Sequence, residues 1–185
     1  MATINISSYT AYFRSLAVAH ALLQHNPASE TGDAPISAMH FARWGVDEVI
    51  TNLRSKVSWP AMLLEAYNRD ISSENPSAIR GDYAGAFTIL ATAKATNAQS
   101  VEQAYDLSEG IMNDVLAQIY QDHYGPNKTR CNSPFHAFHF DKMQIIPVGM
   151  LFDAQWGWRC EFSFMAKETS NIQKAPAIGT FLNYP

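Results

Sequence analysis

Apolar and polar positions alternate strictly along residues 156–166, WGWRCEFSFMA. Trp156, Trp158, Cys160, Phe162, Phe164 and Ala166 share one parity, while Arg159, Glu161 and Ser163 share the other. A period of two puts the two sets on opposite faces of a β-strand, one dry and one wet. So much aromatic surface needs a cover, and a second periodicity upstream supplies one. In SVEQAYDLSEGIMNDVLAQIYQDHYGP, residues Ala104, Leu107, Ile111, Val115 and Ile119 trace one helical stripe, widened by Leu116 and Tyr120. Ser100 and Gln103 are spaced as a capping box, and Gly125 followed by Pro126 is a stop. Gly110 costs about 1 kcal/mol against alanine in mid-helix, which points to close packing on the sheet. The helix of residues 100–124 is thus expected to roof the even face of 156–166.

Other elements follow from the same patterns. Tyr9, Tyr12, Phe13, Leu16, Ala19 or His20, and Leu23 recur at helical spacing, with Ser7 or Ser8 as cap and Asn26-Pro27 as terminus. PASETGDAPIS reads as a loop. Val46, Val49, Ile50 and Leu53 predict a shorter helix within RWGVDEVITNLRSKVSWP, broken at Trp59-Pro60. AMLLEAY is a continuous apolar run that suits a strand covered on both faces. The polar stretch NRDISSENPSAIRGD predicts a long loop, leading to a partner strand in YAGAFTILATA, where Phe87, Ile89 and Ala91 alternate with Thr88, Leu90 and Thr92. KMQIIPVGMLF is a third strand, and Pro147, lacking an amide donor, puts it at an edge or a bulge. DAQWG turns the chain into the strand of 156–166. The order predicts an α+β fold: a four-stranded mixed or antiparallel sheet of two hairpins, helices packed on one face, and an extended C-terminal tail. Residues 1–168 form one domain and 169–185 an arm, in which Ile178, Phe181, Leu182 and Tyr184 are too apolar for a solvated tail.

Charge narrows the possible partners. The chain carries 13 Lys and Arg, scattered along its 185 residues, and a net charge of −4. No basic face is available to lead nucleic-acid binding. Charged residues make up 16% of the chain and aromatics 12%, a balance shared by domains that cover part of their surface with partners. No apolar run approaches a membrane span, and the N-terminus lacks the features of a signal peptide. Cys131 and Cys160 are too few for a disulfide framework or a zinc site and are read as reduced thiols, Cys160 on the dry face of its strand.

Histidine is the obvious place to look for chemistry. His136 and His139 lie in PFHAFHFD near Asp141, with His123 upstream. Two imidazoles and a carboxylate can hold a metal, but i and i+3 point to opposite faces of a strand. There is no HExxH, no GxSxG elbow, and no phosphate loop, since GDYAG fits neither pattern. Asp47 and Glu48 are explained by the N-terminus of the predicted helix. The reading is therefore a non-enzyme with no metal and no cofactor.

The element order, AMLLEAY after the short helix, and the closing hairpin IIPVGMLFDAQWGWRCEFSFMA resemble the small tail-terminator and tail-completion (neck) proteins of bacteriophages and phage-like contractile particles. The long loop at 68–82 and the apolar tail depart from that pattern. The resemblance implies a structural part without an active site. Such a part forms a hexameric ring, stacks on the last ring of the tail tube, and contacts tube, sheath or head-neck proteins in a particle assembled in the host cytoplasm. Rings use heterologous contacts. Ile178, Phe181, Leu182, Tyr184, Trp156 and Pro147 are the candidate subunit-interface residues. Two alternatives stand beside this: a small-molecule or carbohydrate-binding module using Trp156, Trp158 and the His136 region, and an enzyme with a dispersed site around His123, His136, His139 and Asp141.

Overall fold

The computed structural model describes residues 4–44, 57–73, 79–125, 137–152 and 154–167. The predicted short helix at Val46–Leu53, Cys131, His136, and the arm with Ile178, Phe181, Leu182 and Tyr184 lie outside these residues.

The architecture is α+β, built on an open mixed sheet of six strands rather than four. Helix α1 spans Ile6–Ala19. Its cap is Asn5, not Ser7 or Ser8: the Ser8 N–H donates to Asn5 Oδ1 (2.8 Å) and the Asn5 N–H donates to Ser8 Oγ (3.1 Å). Two helix-end donors are satisfied reciprocally. The helix stops at His20 rather than at Asn26-Pro27, and the chain turns through Gln24 (φ 46°) so that Leu23 and His25 still enter the core. The predicted loop 27–37 contains a single helical turn, α2 (Ala28–Thr31), closed by Gly32 at φ 87°, and a 3₁₀ turn begins at Ile36.

Strand β1 (Phe41–Trp44), just before the predicted short helix, was not anticipated and pairs in parallel with β2 (Ala61–Glu65). As the apolar run implied, Ala61 to Leu64 are buried on both faces of β2. The supposed loop 68–82 instead holds β3 (Asn68–Ser73) and the first residues of β4 (Ile79–Thr92). Residues 68–72 of β3 are all exposed. The strand exists because its backbone pairs with Asp82 and its neighbours on β4, not because it buries apolar surface. β4 takes β2 and β3 end to end along one side and β6 (Gln155–Lys167) along the other, all antiparallel. β5 (Ala137–Leu151) closes the sheet beyond β6. Pro147 therefore sits on an edge strand, with register shifts on either side of the stretch that contains it.

Helix α3 (Ala98–Tyr124) is capped by Asn97, whose side chain accepts the Ser100 N–H, so the expected Ser100–Gln103 box is replaced. Ala104, Ile111, Val115 and Ile119 are buried as the stripe predicted, but Leu107 is 40% exposed. Ser108 and Met112 take its place. Ser108 is tolerated because its hydroxyl donates to the Ala104 carbonyl at 2.7 Å. Gly110 is on the outer face, and a Cβ there would meet nothing within 4 Å, so close packing is not its reason.

α1 and α3 together roof one face of the sheet. Tyr9 and Phe13 from α1, Ile111, Met112, Val115 and Ile119 from α3, and Tyr83, Phe87, Ile89, Phe138, Cys160, Phe162 and Phe164 from the strands form one core cluster. The even face of β6 is thus covered by the chain's own helices. Trp156 is only 8% exposed and packs on Ala91, Ala93 and Ala104. A second cluster covers one end of the opposite face, where Leu63 and Leu90 meet Val57, Trp44, Trp59 and Phe152.

Candidate functional site

Among the described residues, those nominated for chemistry form no common cluster. His123 is buried near the end of α3, its ring stacked on Phe138 at 5.7 Å. His139 is half-buried on β5 with Nδ1 3.9 Å from Asp141 Oδ1, too long for a hydrogen bond. Among the described residues no group of three His, Cys, Asp or Glu could hold a metal ion. Trp158 offers no platform for a sugar either: it is half-buried, edge-on to Tyr105, and its indole N–H donates to the Tyr105 carbonyl at 3.1 Å. The Cys160 thiol is pushed up to about 12 by burial, with Glu161 adding to the shift. A thiol so disposed is a packing residue rather than a nucleophile.

The histidines toward the N-terminus are engaged as structural clips. His20 Nδ1 accepts the Leu22 N–H (3.1 Å), and Nε2 faces Asp114 at 3.3 Å. This imidazole–carboxylate pair borders a depression of about 290 Å³ between α1 and α3. With Nδ1 occupied by a backbone donor, Nε2 carries the proton toward Asp114. No lone pair remains to accept a proton from a substrate.

His25 is more deeply set. Its side chain is fully buried, Nδ1 accepts the His40 N–H (3.3 Å), and Nε2 lies 2.8 Å from Glu30. Glu30 also accepts from Arg14 Nε (2.7 Å) and Nη2 (2.8 Å). The His40 ring lies between the Pro60 (2.8 Å) and Ser37 (3.1 Å) carbonyls. These contacts tie the 20–40 segment to α1 and to the ends of β1 and β2. Burial holds the His25 pKa below its ordinary 6.5, outweighing the opposite pull of Glu30. The unfolded chain therefore takes up this proton first as pH falls. The resulting stability is intact above pH 6.5 and is lost below it. Melting temperature is expected to drop between pH 7.5 and pH 5.5, and His25→Gln is expected to flatten that part of the profile. An unchanged slope in the variant would assign the titration elsewhere.

The most developed polar surface is one that sequence reading missed. On the open face of the sheet, Arg159 forms a forked pair with Glu65 (Nε 2.6 Å, Nη2 2.9 Å) and a further close contact with Glu161. The fork holds the guanidinium pKa above its usual value, with Glu161 adding to it. The three side chains border a depression of about 330 Å³ that also touches Lys142, Asn68 and Ser163, with Ala84 and Ala86 in its floor. Ser163 Oγ is buried there with no hydrogen-bond partner among the described residues. Glu65 and Arg159 are 94 residues apart, so no spacing could have announced the pair. Arg159 uses three of its five N–H donors on Glu65 and Glu161, and with Lys142 also at the depression the two cations match the two carboxylates.

No protein-family model matches the sequence, and no curated protein matches it significantly.

Proposed function

We propose that the chain is a structural subunit of a phage tail or phage-like contractile particle, a ring-forming tail terminator or neck component that joins the tail tube to a head or cap. The observation that carries this reading is the outer margin of β5, which no described strand pairs. This strand is 15 residues long, and among the described residues it pairs only with β6. An unpaired edge of that length is a template for another chain. Ile145 and Met150 stand exposed on it, beside Pro147. Proline and the flanking register shifts restrict where a neighbour can pair, which favours a defined contact over open-ended aggregation. The opposite margin is made by other strands, β1 and β3, so a contact joining it to β5 is heterologous, as a closed ring requires. The paired Arg159, Glu65 and Glu161 side chains add a polar face that can meet a neighbour without leaving a bare charge.

Native mass spectrometry and negative-stain microscopy of the purified chain, alone and mixed with the tail-tube protein of the same gene cluster, test the proposal. The expected result is a closed ring, of six copies, forming alone or on the tube end. A chain that stays monomeric under both conditions overturns it.

A further inference from the structure

We infer that the depression between Glu65, Lys142 and Glu161 on the open face of the sheet is a binding site for a small zwitterion, a free α-amino acid with a short aliphatic side chain. The site belongs to a single chain and requires no ring. Backbone irregularities place it. Leu64 pairs with Phe87 and Asn68 with Ala84, so residues 65–67 stand opposite only 85 and 86 of β4. On the other side, His139 pairs with Ser163 and Gln144 with Glu161, so residues 140–143 of β5 stand opposite Phe162 alone. Gly85 pairs with Phe162, so both flanking ladders buckle at one level of the sheet. Bulges re-aim side chains and are enriched beside active sites. Here they bring Asn68 from one flank and Lys142 from the other to the same depression of about 330 Å³. That volume is at the small end of ligand pockets and suits a molecule of amino-acid size.

Unengaged polar groups select the ligand. The fork to Arg159 occupies both Glu65 oxygens, whereas Glu161 engages only Oε1 on the same guanidinium. One carboxylate oxygen, Glu161 Oε2, and one ammonium, Lys142 Nζ, are left without a partner among the described residues. A lone anion at Lys142 would lie against Glu161, and a lone cation at Glu161 would lie against Lys142. Each is disfavoured by the like charge. A ligand neutral as a whole but charged at both ends meets neither penalty. A sugar finds no stacking surface, since the aromatic residue bordering the depression, Phe162, is 3% exposed. In the complex the ligand ammonium donates to Glu161 Oε2 and its carboxylate accepts from Lys142 Nζ. The Ser163 hydroxyl, buried without a partner among the described residues, has no bond to give up on rotating toward that carboxylate. Ala84 and Ala86 leave room for a short aliphatic side chain.

Saturation-transfer NMR and calorimetry on the full chain test this with glycine, L-alanine, L-valine and L-leucine at millimolar concentration. At least one is expected to bind. Its N-acetyl form, lacking the ammonium, and its amide, lacking the carboxylate, should each bind about tenfold more weakly. Glu161→Gln should abolish the preference over the N-acetyl form, and Lys142→Met the preference over the amide. Lys142 is exposed and the Glu161 side chain is 46% exposed, so both variants should stay folded, which circular dichroism will verify. No binding by any of the four, equal binding of the singly charged forms, or preferences unchanged in both variants would each overturn the inference.

Discussion

Replacing Phe162 with alanine is expected to cost about 3–5 kcal/mol, the range for emptying a buried phenylalanine site. Phe162 is the hub where α1 meets strands β4, β5 and β6. Its ring lies 5.0 Å from Phe138, 5.4 Å from Phe13, 6.0 Å from Phe87 and 6.1 Å from Phe164. The backbone has been shaped to hold it. The residue paired with it across β4 is Gly85, where a Cβ would lie 3.0 Å from Phe162 Cζ and 2.6 Å from the Tyr9 hydroxyl. A side chain at 85 would push the ring out of its slot. Rings from four different elements cannot collapse together into the vacancy, so the cavity term persists alongside the lost transfer energy. At about 2–4 °C per kcal/mol for a chain of this size, the melting temperature should fall by roughly 6–20 °C. Leu107→Ala, on the outer face of α3, should shift it by no more than a degree or two by the same scale. Calorimetry on the two variants decides: a loss below about 1 kcal/mol for Phe162→Ala would mean that the aromatic cluster is not the keystone of the fold.

The parts of this fold legible from sequence are those where burial imposes a period. The alternation along 156–166 identified β6 and its dry face, since Cys160, Phe162 and Phe164 are all buried. The stripe in α3 was legible as a helix but misread in phase at Leu107. A serine that satisfies its hydroxyl on the preceding turn can be buried as readily as a leucine, and hydrophobicity alone does not reveal it. β3 was invisible for the complementary reason: residues 68–72 lie in solvent, and the strand is specified by the backbone ladder of β4. β1, four residues in parallel pairing, is too short for any period to register. Polar surfaces were the least legible. Arg159 and Glu161 were visible only as members of a wet face, and Glu65 only as part of the run AMLLEAY, because the pairing depends on β2, β4 and β6 lying side by side. Nor did any local pattern in PASETGDAPIS tell that Glu30 would hold His25 and Arg14 together. Position on a helix also changes a residue's meaning. Tyr120 read as a widening of the buried stripe, yet it falls where α3 has run past the sheet's covered centre and emerges beside Phe140.

Gly157→Ala is the second substitution expected to act strongly, and its contrast with Gly110→Ala makes it informative. At 157, on β6 opposite Leu90, an added Cβ would stand 1.9 Å from the Ile89 carbonyl oxygen and 3.1 Å from the Leu90 Cα. Both are backbone atoms of the paired strand, so no rotamer change relieves the clash. The two strands must part where Trp156 and Trp158 anchor the start of β6 under α3. Overpacking costs of about 1–3 kcal/mol are typical when side chains can yield. Here they cannot, and a loss near or above 3 kcal/mol is expected. At Gly110 the same methyl meets open space on an exposed helical face, so removing glycine's backbone entropy should stabilise by up to about 1 kcal/mol. Urea midpoints should therefore move in opposite directions for one identical chemical change. Amide exchange in Gly157→Ala should quicken first around Leu90. If the two glycines respond alike, the close β4–β6 approach is not a feature of the folded chain, and the sheet must be drawn differently at the very place where its aromatic face begins.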